Sequence, residues 1–146
     1  MKHTTLFISI IFALLFIAGC NKDTKTEVST TMAAMVNANQ EQFSQVVSQR
    51  HISSGVEIRI TGVDLATGHN IELYFLNYIG NTGLYTIDTA STLAWYGTSA
   101  GSLSQATSGQ IVLTKVSYGF MYGTFNFVTK DSTRIANGTF VASVPD

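Results

Sequence analysis

The sequence predicts an all-β domain, an antiparallel β-sandwich or a small β-barrel, that follows a cleaved signal peptide and a short tether. Three observations predict it. Val56-Glu57-Ile58-Arg59-Ile60-Thr61 alternates apolar and polar residues, and Ile71-Glu72-Leu73-Tyr74-Phe75 repeats the pattern with Ile71, Leu73 and Phe75 on one side. Successive side chains of a strand point to opposite faces of the sheet, so period-two alternation marks a strand with one buried face. Turn signals at Thr67-Gly68, Gly80-Asn81-Thr82-Gly83 and Lys130-Asp131-Ser132 separate short apolar runs, the spacing of a sandwich or small barrel. The only proline is Pro145, so no strand is marked as an edge by proline.

The chain opens on Met1, Lys2 and His3, followed by Leu6 to Ala18, thirteen residues that are apolar except for Ser9. A membrane-spanning helix needs about 20 apolar residues, whereas this length suits the apolar part of a secretory signal. Ile17-Ala18-Gly19-Cys20 then resembles the lipobox of bacterial lipoproteins, and Cys20 is the only cysteine. The resemblance implies a signal peptide over residues 1–19, cleavage before Cys20 and a lipid on its sulfur. Each buried methylene contributes about 0.8 kcal/mol, so two or three acyl chains anchor a protein stably. Residues 20–30 are the lipidated cysteine and a polar, charged tether, and residues 31–146 are a single domain.

Removal of residues 1–19 leaves 127 of the 146 residues, with 7 Lys and Arg against 9 Asp and Glu, a net charge of −2. A chain of that size buries roughly two-thirds of its unfolded surface and folds without a disulfide or metal. The near-neutral charge supplies no field to attract nucleic acid.

Within the domain, Met32–Val36 and Phe43–Val47 read as two strands around Asn37-Ala38-Asn39-Gln40. A single amphipathic helix is the alternative, since Met32, Met35, Val36 and Phe43 lie near one helical face. Leu84–Ile87 and Leu93–Tyr96 are short strands, and Ile111–Ser117, Phe120–Thr129 and Thr133–Val144 complete the set. Gly97 to Gly109, rich in Gly, Ser, Thr and Gln, reads as a loop. Gly-Thr-Phe occurs at Gly123–Phe125 and again at Gly138–Phe140, as expected for two strands of one sheet with a glycine beside a neighbouring aromatic.

Met35-Val36-Asn37 with Phe43, Gly123-Thr124-Phe125-Asn126-Phe127 and Ile135-Ala136-Asn137-Gly138-Thr139-Phe140 together resemble a family of small Bacteroidota lipoproteins of unknown function. The family usually has Gly soon after the first Asn, where this chain has Ala38. The resemblance implies a compact β domain on a lipid tether and brings no catalytic residues with it. Asn21 after the cysteine is compatible with outer-membrane sorting, and Lys22-Asp23 is a partial match to the acidic export signals of surface lipoproteins. Asp88-Thr89-Ala90 and Asp131-Ser132-Thr133 resemble acceptor sites for O-glycans on exported proteins of that group, with Thr89 and Ser132 as the modified residues.

The remaining residues point away from catalysis. Gly97-Thr98-Ser99-Ala100-Gly101 matches G-x-S-x-G, but a nucleophile elbow needs a helix after it, and Ser102-Leu103-Ser104-Gln105 reads as loop. His51 and His69 are expected to be exposed, without the spacing of metal ligands. Glu57, Asp64 and Glu72 are expected on solvated surfaces rather than in a carboxylate pair. Neither metal nor cofactor is expected. Among Tyr74, Tyr78, Tyr85, Trp95, Tyr96, Tyr118 and Tyr122, the set Tyr74, Trp95 and Tyr96 is the expected binding surface, because outward aromatics stack on sugars or anchor protein interfaces. The leading expectation is a non-enzymatic binding or structural module at the cell envelope, held to the membrane by the lipid on Cys20, with a protein or glycan partner. The alternative is a lipocalin-like barrel carrying a lipophilic ligand.

Overall fold

In the computed structural model, residues 28–52, 55–88, 90–99 and 101–144 are described; Cys20, the expected signal peptide, most of the expected tether and Thr89 lie outside them. Among the described residues there are ten strands: β1 (Thr31–Val36), β2 (Asn39–Phe43), β3 (Gln45–Ile52), β4 (Val56–Val63), β5 (Asn70–Phe75), β6 (Gly83–Thr86), β7 (Thr92–Gly97), β8 (Leu103–Ser117), β9 (Phe120–Thr129) and β10 (Arg134–Ser143). All pairings are antiparallel, in the order β2-β1-β10-β9-β8-β7-β5-β4-β3, with β6 beside β8. The sheet curls into a nearly closed barrel, so the all-β expectation holds. Two layers compose it: β2-β1-β10-β9-β8 with β6, and β8-β7-β5-β4-β3.

The strand β8 belongs to both layers. Leu103–Gln105 pairs with β7, and Ala106–Ser117 pairs with β9. Polar composition made Gly97–Gly109 read as loop, but backbone ladders on both edges turn its second half into strand. Two bulges, at Ala106/Ser108 and Leu113/Lys115, switch which residues face the core, so Ala106, Ile111, Leu113 and then Val116 point inward. Gly109 sits beside the first bulge at φ +142, and a Cβ there would lie 2.3 Å from the Asn126 carbonyl oxygen. Only glycine fits both the dihedral and the contact.

The N-terminal stretch is strand, not helix. Asn37 and Ala38, both at positive φ (47 and 72), make a two-residue turn between β1 and β2. The expected second strand, Phe43–Val47, divides at Ser44: Phe43 closes β2 against Met32, and Gln45 opens β3 against Val63 in the other layer. At the far edge, β3 lies against β10 and β1 without a backbone ladder.

Between the layers, Ile58, Ile60, Ile71, Leu73 and Phe75 meet Met32, Ile111, Leu113, Met121, Phe125, Phe127 and Ile135, all essentially without exposure. Gly138 lies opposite Phe125 and Gly123 opposite Phe140, so each Gly-Thr-Phe segment gives the other's ring its space.

Candidate binding face

On the outer side of the β3-β4-β5-β7 layer, register sets two rows of side chains. One runs Gln49, Arg59, Tyr74, Leu93; the next runs Thr61, Glu72, Trp95, Gln105. Period-two alternation that sends Ile58, Ile60, Ile71, Leu73 and Ala94 inward necessarily sends these outward.

The rows are linked side chain to side chain. Tyr74 and Trp95, diagonal neighbours on β5 and β7, meet edge to face, with centroids 4.9 Å apart and an interplanar angle of 68°. The Arg59 guanidinium lies over the Tyr74 ring at 5.2 Å and donates through Nη2 to Glu72 Oε1. Glu72, expected in solvent, is instead 8% exposed. Its cross-strand neighbours Thr61 and Trp95, and Arg59, cover it on the outside of the sheet. Among the described residues, Arg59 Nε is buried without a partner. Burial raises the Tyr74 phenol above its ordinary value, with the Arg59 charge opposing.

The Tyr74–Trp95 pair borders two grooves, Tyr74 lining one and Trp95 the other. One, of about 270 Å³, is lined by Gln49, His51, Glu57, Arg59 and Tyr74. The other, of about 390 Å³, carries Ser104, Gln105, Lys130 and Asp131 beside Trp95. There Lys130 Nζ donates to Gln105 Oε1 at 3.1 Å. Aromatic rings are thus bordered by amide, imidazole, carboxylate and ammonium groups, an apolar surface for stacking beside groups for hydrogen bonding. A larger groove, about 640 Å³, lies outside β8-β9-β10 over Ser108, Asn126, Arg134 and Asn137. The phenylalanines beneath it, Phe125 and Phe127, are buried, so it offers no ring to stack on.

Tyr96 does not join this face. It points inward and is 4% exposed. Its hydroxyl lies 3.3 Å from Glu41 Oε1 and 3.1 Å from His69 Nδ1, and His69 Nδ1 is 3.0 Å from the same Glu41 oxygen. His69 is therefore half-buried rather than exposed, and the three side chains fasten β2 to β7 and the β4–β5 turn. Burial, then the Glu41 carboxylate, pushes the phenol far above its ordinary value. A phenol so held stays protonated at neutral pH and donates to the Glu41 carboxylate.

His51 is exposed, as expected. Asp64 caps the β4–β5 turn, accepting from Ala66 N and Thr67 Oγ1. Ser99 lies in a bend that runs into β8, with Ser102 N donating to its carbonyl, and strand rather than helix follows the G-x-S-x-G motif. Ser132 is exposed in the β9–β10 turn at φ +67. Thr89 lies outside the described residues, and the Asp88 beside it accepts from Ala90 N and Ser91 N.

No family model matches the chain, and no curated protein and no solved structure matches it.

Proposed function

We propose that the chain is a lipid-anchored envelope protein that binds a glycan on its outer face, around Tyr74 and Trp95, without catalysing a reaction. The Tyr74–Trp95 ring pair, bordering two grooves, is the observation that carries this reading. The anchor rests on Ile17-Ala18-Gly19-Cys20 and the apolar run before it, and the outer membrane is the compartment that Asn21 favours. The nearly closed barrel is compatible with the alternative, a carrier of a lipophilic ligand. The rings of Phe75, Phe125 and Phe127 between the layers favour a ligand on the outside.

Retention on immobilised polysaccharide tests the binding reading. Wild type is expected to be retarded on at least one of cellulose, xylan, starch and the cells' own envelope polysaccharide. Tyr74→Ala and Trp95→Ala are expected to elute at the void while keeping their far-ultraviolet spectra. Equal elution of wild type and variants on every matrix would overturn it. Protease treatment of intact cells reads the side: cleavage means surface display, and protection until the outer membrane is opened means the periplasmic face.

A further inference from the structure

One end of the barrel concentrates exposed apolar side chains. Ile52 at the end of β3 is 69% exposed, Ile79 in the β5–β6 loop 78%, and Tyr118 at the tip of the β8–β9 turn 93%. Backbone contacts join the three. Ile52 lies opposite Val56, whose carbonyl accepts from Tyr78 N, the residue before Ile79. Ile79 shares a groove with Val144 and Arg50. Val144 N donates to the carbonyl of Gly119, next to Tyr118. The described side chains lining that groove, Arg50, Val56, Ile58, Tyr78, Ile79 and Val144, include one cation and no acid. Scattered apolar residues are ordinary on a protein surface, but a set gathered at one end is a contact region.

The chain also enters the domain here. Thr31 lies opposite Val141 in an antiparallel pair, so continuing backwards from Thr31 leads along Ala142 and Ser143 toward Val144 and the Tyr118 turn. From Cys20 to Val28 there are eight Cα steps, a reach of at most about 28 Å. That is close to the diameter of a domain of this size, whose radius of gyration is about 13 Å. A tether that short keeps this end at high effective concentration beside the membrane, where even weak affinity orients the domain.

We infer that this end of the barrel rests on the lipid surface that holds the anchor, with Ile52, Ile79 and Tyr118 at headgroup depth and Arg50 among the phosphates. A tyrosine and aliphatic side chains beside a cation are the composition of an interfacial contact. The β9–β10 turn with Lys130 and Asp131, at the opposite end of β9, then faces away from the membrane, and the groove beside Trp95 stays open. The inference rests on the lipid anchor of the proposed function, and the test separates the two.

The lipidated mature protein carries no free thiol once Cys20 is modified, so a single introduced cysteine can be labelled. Ile79→Cys and Leu65→Cys (in the β4–β5 turn, 70% exposed) are labelled with a nitrobenzoxadiazole dye. Each is incorporated into vesicles of phosphatidylethanolamine and phosphatidylglycerol. The expected result is a blue-shifted emission at position 79 that is quenched by spin-labelled lipid, with neither effect at position 65. Co-flotation with vesicles but no quenching at either position, or equal quenching at both, would overturn the inference and leave the anchor standing. Failure of the processed protein to float with vesicles would overturn the anchor and the inference together.

Discussion

Ser48 Oγ on β3 lies 2.8 Å from Ser143 Oγ on β10, and it also donates to the Ser143 carbonyl. These bonds bridge the seam where the strand order ends and no backbone ladder joins β3 to its neighbour. Unbonded strand edges are sites of slippage and of pairing with other chains, and a side-chain bridge is one means of closing them.

Ser48→Ala removes both bonds and leaves the rest of β3 unchanged. A net hydrogen bond contributes about 1 kcal/mol, so urea unfolding is expected to show a loss of about 1–2 kcal/mol. Amide exchange is expected to rise first along β3. A loss of stability with uniform exchange along all strands would mean the seam is held elsewhere.

Ala38 holds a left-handed backbone, φ +72, in the turn between β1 and β2. That conformation costs a residue with a Cβ about 1–2 kcal/mol, partly offset by the greater unfolded-state freedom of glycine. Ala38→Gly is therefore expected to raise stability by about 0.5–1 kcal/mol in urea unfolding. A lower midpoint would show that the Ala38 turn is relaxed.

A methyl group built on Gly138 would lie 2.4 Å from the Phe125 ring, and one on Gly123 would lie 2.5 Å from Phe140. Gly138→Ala and Gly123→Ala are each expected to destabilise by about 1–3 kcal/mol, the usual cost of overpacking. The rings are mutual neighbours at 6.3 Å, so the double variant is expected to depart from additivity. Thermal unfolding of the four proteins measures both effects.

Asp88 is held down at about 2 by the backbone N–H groups of Ser91 and Ala90. A carboxylate whose folded value lies below its unfolded one stabilises the fold above the unfolded value and loses that contribution as pH falls through the folded one. Stability is thus expected to drop between about pH 4 and pH 2, with Asp64 and Asp131, also lowered, contributing in the same direction. Asp88→Asn is expected to be less stable at neutral pH and to show a shallower acid slope. An unchanged slope would place the acid sensitivity in other carboxylates.

The parts of the fold that were legible in the sequence are those with local signatures. Alternation marked β4 and β5, Thr67-Gly68 marked the turn between them, and Lys130-Asp131-Ser132 marked the β9–β10 turn. The parts that were not legible depend on partners distant in the chain. Ser104 to Gly109 is too polar to read as strand, and becomes one because β7 and β9 supply its ladder. His69 and Glu72 resemble surface residues until Glu41, Tyr96 and Arg59 are brought beside them. Tyr96 alternates with Trp95, so the two could never share a face once both lay in one strand. That conclusion was available from the period of two alone. Cross-strand diagonals such as Tyr74 with Trp95 needed the register, which no local signal carries.

Trp95 is the only tryptophan in the chain and lies in the proposed glycan site itself, so its fluorescence reads that site without a label. Titration of the mature protein with soluble cello-, xylo- and malto-oligosaccharides and with solubilised envelope polysaccharide is expected to give a saturable shift of the Trp95 emission with at least one of them. Tyr74→Ala is expected to abolish the shift. An emission unmoved by every saccharide, while wild type retains its native spectrum, would contradict a glycan site at this face.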